Sequence, residues 1–181
     1  MDDRFEGEEA VLTLDREQLL YEDTKRVGMV SIVIPAYNEE LGIVESVNGV
    51  RKVMAKSHYD YEIIVVDDGS TDRTSELVRS TSSRVVRHDE NRGYGASLKT
   101  GIQAAKGEWI VITDADSTYP AERIPDLLKD AGDYDMVVGA RVGGEAKIPL
   151  IRRPAKWVLA KIANYLAETK IPDYNSGLRV F

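Results

Sequence analysis

Short, continuous apolar runs recur along the chain with helix-spaced segments between them, and this alternation limits the fold more than any other feature of the sequence. Residues 29–34 (MVSIVI), 61–66 (YEIIVV), 84–87 (RVVR), 109–113 (WIVIT) and 135–140 (DMVVGA) read as strands. Leu41, Val44, Val47, Val50 and Met54 repeat at near-helical spacing over 39–54. Residues 73–80, 96–105 and 121–129 read as further helices, and 154–169 as a long amphipathic one. Asp72 is placed to cap the helix over 73–80, and Pro35, which has no N–H to give a central ladder, is expected to end the first strand. Alternating strands and helices form βαβ units, and strands apolar on both faces belong to a parallel sheet covered on both sides. The expected class is therefore α/β, a mainly parallel twisted sheet flanked by helices on both faces.

With 181 residues and 43% hydrophobic residues, the chain has the material for one domain core; a domain near this size hides roughly 70% of its unfolded surface. Cysteine is absent, which removes disulfide scaffolds and thiolate chemistry, and two histidines, His58 and His88, argue against a multi-histidine metal site. No run approaches the ~18 apolar residues of a membrane span, and no signal peptide opens the chain. A net charge of −7 is unfavourable for general nucleic-acid binding. These features point to a soluble cytoplasmic domain. The charge is uneven. Nine acids face only Arg4 and Arg16 in the first 24 residues, so 1–27 reads as an acidic, solvated arm with one short helix around 14–21 as its candidate element, and 28–181 as the folded domain. Segment 141–161 carries Arg141, Lys147, Arg152, Arg153, Lys156 and Lys161 against Glu145 alone. That block is either an ordinary helix face or a surface for phosphates and anionic lipid.

In parallel α/β sheets the ligand lies beyond the carboxyl ends of the strands, and the chemistry-bearing residues fall there: 35–39 after the first strand, 67–70 after the second, 114–118 after the fourth and Arg141 after the fifth. Asp114 and Asp116 bracket an alanine at a strand end, where two carboxylates can hold a hard divalent cation together with substrate phosphates; a turn with a helix cap suits the same residues. Asp67 and Asp68 close another strand, and four carboxylates on one rim repel unless a cation or hydrogen-bonding ligand offsets them. The first strand is followed by PAYNE, without the glycines of a dinucleotide fingerprint, and no P-loop occurs. Recognition of a base and ribose then falls to side chains, with Tyr37, Glu39 and Asp68 as candidates. Gly93 and Gly95 either supply turn dihedrals or approach a ligand.

IVIPAYNEE at 32–40, VVDDGSTD at 65–72, NRGYGASLKTG at 91–101, DADSTYP at 114–120, VVGAR at 137–141 and NSGLRVF at 175–181, in this order, resemble the inverting family 2 glycosyltransferases. The resemblance is strongest to the polyprenyl-phosphate branch, which includes dolichyl-phosphate mannosyltransferases, and it covers roughly 29–181. It implies a GT-A fold, a nucleotide-sugar-binding Rossmann-like sheet, and a metal-dependent inverting transfer of a hexose from a nucleotide sugar of the GDP-mannose or UDP-glucose type to a polyprenyl or dolichyl phosphate. Pro35, Tyr37 and Glu39 would line the nucleoside pocket, and Val66 and Asp68 would contact the base. Asp114, Ala115 and Asp116 would meet ribose and diphosphate, with Asp114 and Asp116 as ligands of Mg²⁺ or Mn²⁺. Asp116, Arg141 and Arg179 would be the catalytic set, Arg141 facing diphosphate or sugar and Arg179 holding a phosphate. Thr118 stands where mannosyltransferase relatives can have a metal-assisting glutamine. Relatives continue past the SGLR segment, so a domain lacking that C-terminal part is expected, in peripheral contact with an anionic membrane surface at the cytoplasmic face.

An acceptor phosphate, with a second pKa near ~6, is mostly ionised at neutral pH and needs no general base. A hydroxyl acceptor needs one, and beyond Asp135 the acids are Glu145, Glu168 and Asp173. That scarcity favours the phosphate. The competing readings are transfer to a sugar or protein hydroxyl, a non-catalytic nucleotide-sugar-binding module, and a haloacid-dehalogenase-like phosphatase built on Asp114-Ala115-Asp116-Ser117-Thr118.

Overall fold

The computed structural model describes residues 28–141, 161, 164, 165, 168, 173 and 176–181. Six strands form one sheet: β1 Val30–Ala36, β2 Tyr61–Asp67, β3 Arg84–Arg87, β4 Trp109–Ile112, β5 Val137–Val138 and β6 Arg179–Val180, in the order β3-β2-β1-β4-β6-β5. The first four pair in parallel, and β6 runs antiparallel to both β4 and β5. The described helices are α1 Ile43–Met54, α2 Thr74–Arg79, α3 Tyr94–Ala104 and α4 Ile124–Asp130, with 3-10 turns at Ala121–Arg123 and Ala131–Asp133. This is the expected α/β architecture, with one antiparallel strand that sequence reasoning missed.

Side-chain alternation sorts the sheet into two apolar layers. Val30, Ile32 and Ile34 of β1 meet Ile43, Val47, Val50 and Met54 of α1, Val78 of α2, and Ile124 and Leu128 of α4 on one face. Val33, Ile64 and Val66 meet Leu98 and Ala104 of α3 on the other. The central strand β1 is buried along its whole length, which is why it reads as an unbroken apolar run.

β1 does not stop at Pro35. It continues to Ala36, with Pro35 opposite Val66. Val30 donates to Asp60 of the β2 side, whereas the Val33 carbonyl accepts from Thr113 of the β4 side. By the same alternation Pro35 turns its nitrogen toward β4, whose pairing with β1 has already ended at Val33 and Ile112. The missing N–H therefore costs no ladder bond. The expected fifth strand over 135–140 contracts to Val137 and Val138, because its only described partner, β6, is itself two residues long and Met136 is exposed. The first helix begins at Ile43 and not at 39, since Gly42 and Ile43 both donate to the Glu39 carbonyl in a turn. The acidic arm over 1–27 and most of the helix expected over 154–169 lie outside the described residues. No described helix is long and apolar enough to cross a membrane.

Candidate functional site

The chain leaves β1 for α1 on one face of the sheet, whereas α3, which leads into β4, lies on the other. That divergence between neighbouring parallel strands is a topological switch point, where α/β sheets open a crevice. A cavity of about 410 Å³ occupies it. Pro35, Ala36, Tyr37 and Glu39 line it from the end of β1, and Asp114, Ala115 and Asp116 from the end of β4. Asp68 follows β2, and Asn91, Gly93, Tyr94 and Ser97 come from the loop after β3 and the first turn of α3.

The loops around this cavity hold one another. Asn38, in the left-handed region at φ 54°, donates its N–H to Ser70 Oγ at 3.0 Å, and its side-chain oxygen accepts from the Thr71 N–H at 2.9 Å. The Glu39 N–H reaches Thr74 Oγ1 at 2.8 Å, and the Arg73 N–H returns to Glu40 Oε2 at 3.1 Å. Asp72 accepts from the N–H groups of Thr74 and Glu40. It thus meets the first N–H of α2 from one position before the cap, which is Arg73 and not Asp72 as expected, while also fixing the loop after β1. Burial opposes its ionisation, but these bonds prevail and hold its carboxyl below the ordinary value.

The acids of the cleft differ in state. Burial pushes the Glu39 carboxyl up, and the charges of Asp116, Asp72 and Asp114 push it further. Burial also raises Asp114; the Asp116 charge adds to this, and the Tyr94 hydroxyl, Arg141 and Arg179 offset only part of it. Asp116 is exposed, and its Oδ1 accepts from the Thr118 N–H at 2.9 Å. Asp68 behaves oppositely: burial opposes its charge, but hydrogen bonds from His88 and from the N–H groups of Arg92 and Gly93 hold its carboxyl below the ordinary range.

A second shell of groups closes the β4 side. Tyr94 donates to Asp114 Oδ1 at 3.2 Å, and burial together with the Asp114 charge pushes the phenol up to about 12. Gly177 lies so close to Asp114 that a Cβ there would overlap the carboxylate, and its N–H donates to the buried Tyr119 hydroxyl at 2.6 Å. The Arg141 guanidinium stands 5.4 Å from the Tyr119 ring centroid, within cation–π range. Arg141 also donates to Asp173 from its backbone N–H at 3.3 Å, from Nε at 2.9 Å and from its terminal nitrogen at 3.3 Å. Arg179, on β6, donates from Nε to the Ser176 carbonyl at 2.9 Å.

Of the candidate residues, Pro35, Tyr37, Glu39, Asp68, Asp114, Ala115 and Asp116 line one cavity. Arg141 and Arg179 flank it on the Asp114 side without lining it. Val66 is fully buried among Val33, Ile64 and Leu98, so its side chain lies under the cleft floor. Asp67 does not join the rim, and four carboxylates of the two Asp pairs do not converge. It lies on the same sheet face as Val65, fully buried, accepting from the Ser70 N–H at 3.0 Å with Arg87 Nε at 3.5 Å. Glu39 takes its place among the cleft acids. Tyr94, Tyr119, Asn91 and Gly177 were not singled out; the Gly-Tyr-Gly spacing at 93–95 was the one signal pointing at the first of these.

The donor set fits a hard divalent cation. Asp114 and Asp116 present carboxylate oxygens from one strand end; burial raises Asp114 and Glu39 most, and the repulsion from neighbouring carboxylates that adds to it is what a positive charge relieves. Among the described residues no three His, Asp or Glu side chains assemble into a complete metal group. A cation held here would complete its shell with phosphate oxygens and water, as Mg²⁺ commonly does.

A family model described as glycosyl transferase family 2 matches residues 31–181. The low-salt glycan biosynthesis hexosyltransferase of Haloferax volcanii is 34% identical over 171 residues, covering 91% of this chain and 41% of that protein. The dolichyl-phosphate hexose transferase of the same organism is 32% identical over 155 residues, covering 83% and 65%. An undecaprenyl-phosphate 4-deoxy-4-formamido-L-arabinose transferase of Pseudomonas fluorescens is 34% identical over 161 residues, covering 86% and 47%. The chain thus spans about half the length of such relatives. Among solved structures, glucosyl-3-phosphoglycerate synthase from Mycobacterium tuberculosis in complex with Mn²⁺, UDP-glucose and phosphoglyceric acid superposes with a TM-score of 0.68 at 22% identity, covering 91% of this chain and 59% of that one. That likeness concerns the GT-A fold.

Proposed function

The chain belongs to glycosyl transferase family 2, and from that premise we propose that it transfers a hexose, with inversion, from a nucleotide sugar to a polyprenyl or dolichyl phosphate, using a divalent cation at Asp114 and Asp116. The observation that carries this reading is the meeting of Asp68, Asp114 and Asp116 with the end of β1 around a single cavity at the switch point. Relatives named for undecaprenyl-phosphate and dolichyl-phosphate transfer support the acceptor class, and a GT-A neighbour crystallised with Mn²⁺ and UDP-glucose supports the donor and metal.

In this reading Pro35, Tyr37 and Glu39 receive the nucleoside and Asp68 accepts from its base. Asp114 and Asp116 orient the ribose and diphosphate. A divalent cation supplies neutralisation of the charge that develops on the leaving diphosphate. Arg141 and Arg179 stand beside Asp114 and add fixed positive charge on that side, where preorganised groups stabilise a transition state most effectively. The arginines start the reaction partnered, Arg141 by Asp173 and Arg179 by the Ser176 carbonyl. A phosphate entering the cleft therefore competes with these bonds. The surroundings of Asp173 support the same acceptor class. One of the three acids beyond Asp135 that could serve a hydroxyl acceptor as a base, it accepts three hydrogen bonds from Arg141. A phosphate monoester, already ionised near neutrality, has no need of a base. A lipid-phosphate acceptor would bring the domain to a membrane surface, in keeping with the expected peripheral contact at the cytoplasmic face.

Calorimetric titration with UDP-glucose and GDP-mannose, with and without Mg²⁺ or Mn²⁺, tests the assignment. Binding by one donor should depend on metal and fall with Asp116→Ala by more than the roughly 10–100-fold that loss of an outer-shell partner costs. Metal-independent binding that ignores the substitution would refute the metal role.

A further inference from the structure

His88 comes from the end of β3 and is buried, 6% exposed, although it belongs to neither apolar layer. Its Nδ1 lies 2.6 Å from Asp68 Oδ1 and its Nε2 2.9 Å from Thr100 Oγ1 on α3. Asp68 in turn accepts from the Arg92 N–H at 3.0 Å on Oδ1 and from the Gly93 N–H at 2.8 Å on Oδ2. A carboxylate offers about four acceptor positions. Three are filled, and the remaining one is on Oδ2, the oxygen with a single partner. Nδ1–H donates to the Asp68 carboxylate, and Nε2 pairs with the Thr100 hydroxyl, which can donate or accept. The ring's orientation is then fixed by the fold. The same carboxylate ties down the loop that sends Asn91 and Gly93 into the cavity. That loop crosses so close to Gly69, at φ 72°, that a Cβ there would lie 2.5 Å from the Glu90 carbonyl carbon.

We propose that His88 is a positioning residue for donor recognition: held by Thr100, it sets the orientation of Asp68 and of the 89–93 loop so that the open acceptor position on Asp68 faces the nucleoside. The proposal rests on the reading that Asp68 meets the base. It concerns binding of the nucleoside and leaves the metal-bearing acids untouched, so a loss should show in donor KM and not in kcat.

Two amide substitutions separate this role from mere packing. The nitrogen of Asn falls near Nδ1 and that of Gln near Nε2, so His88→Asn keeps the bond to Asp68 and His88→Gln gives it up. Titrating UDP and GDP with Mn²⁺ into the full chain, His88→Gln should weaken the bound nucleotide by roughly tenfold or more, the scale of a lost hydrogen bond to a charged group. His88→Asn should stay within about threefold of wild type, both read beside the melting temperature. Equal losses for the two variants that follow their melting temperatures, or unchanged affinity in His88→Gln, would overturn the proposal. Should His88→Gln fail to fold, Thr100→Val carries the test, because it frees Nε2 and leaves the Asp68 bond; affinity equal to wild type would be the overturning result. A wild-type chain that binds neither nucleotide would bring down the donor reading and this inference together, whereas wild-type binding with an indifferent His88→Gln brings down this inference alone.

Discussion

At the scale of single residues, Asp114 is under the most conflicting demands. Burial and the Asp116 charge raise its carboxyl above the ordinary value of 3.8. An acid whose folded value is raised holds its proton better in the folded state. Its contribution to stability is thus complete below 3.8 and lost as pH rises through the raised value. In metal-free buffer, Asp114→Asn is therefore expected to gain on wild type in melting temperature as pH rises from 3.8, and Mn²⁺ should cancel the gain by stabilising wild type. Asp72 supplies the opposite sign. Its lowered carboxyl contributes stability above 3.8 that is lost as pH falls through the folded value, so Asp72→Asn should cost most near neutrality. Gly177 tests position in place of charge. The atoms nearest a methyl there are those of the Asp114 carboxylate, so Gly177→Ala should displace that group, leaving the melting temperature nearly unchanged while metal-dependent donor affinity falls by about tenfold, the equivalent of ~1.4 kcal/mol. Calorimetry beside a thermal melt reads both.

Elements fix where these residues can stand. Helix α3 approaches the sheet through Gly101, where a Cβ would overlap Val33 and crowd Val66. Gly101→Ala should destabilise by about 1–3 kcal/mol, the usual cost of overpacking, and draw Tyr94 at the helix start away from Asp114. A lower melting temperature with weakened donor binding is the expected pair of results; a normal melt would mean the helix accommodates the methyl without moving. The same packing explains what was readable in the sequence. β1, β2 and β4 announce themselves because the residues they bury, such as Ile32, Ile64 and Val111, lie between helices and neighbouring strands. That Asp114 and Asp116 reach the cleft was legible too, from their place just after β4, but Asp67 at the end of β2 is buried in a turn, so a strand-end acid is not by itself a cleft acid. The sheet margin was not. Arg179 and Val180 are a strand because Ile110 and Phe181 exchange backbone bonds at 2.8 and 3.0 Å and β5 pairs on the other side, pairings between positions far apart in the chain that no local periodicity records. Pro35 misled for a related reason: whether a missing N–H matters depends on where the neighbouring strand ends. His88 was invisible too, because one histidine carries no pattern until Asp68 and Thr100 are brought to it.

For the whole molecule, the arrangement of charge bears on the proposed acceptor. Glu39, Asp68, Asp114 and Asp116 gather on the cavity, while Arg141 and Arg179 stand beside Asp114 on the margin formed by β5 and β6. An anionic acceptor entering from the arginine side meets positive charge, and one entering past the acids does not. A neutral alcohol gains nothing from the arginines and must lose its proton to a base, yet Asp173 is bound to Arg141 by three bonds. On the proposed reading the acceptor brings its own ionisation. With donor and metal saturating, the rate on a polyprenyl phosphate is expected to fall as pH drops below about 6, the second pKa of a phosphate monoester, and the corresponding polyprenol should not be used. Asp173→Asn releases Arg141 and is expected to lower the rate, but the midpoint of the pH profile should stay with the acceptor. A midpoint that moves with Asp173, together with turnover of the alcohol, would place the base on the protein and reassign the chain to a hydroxyl acceptor.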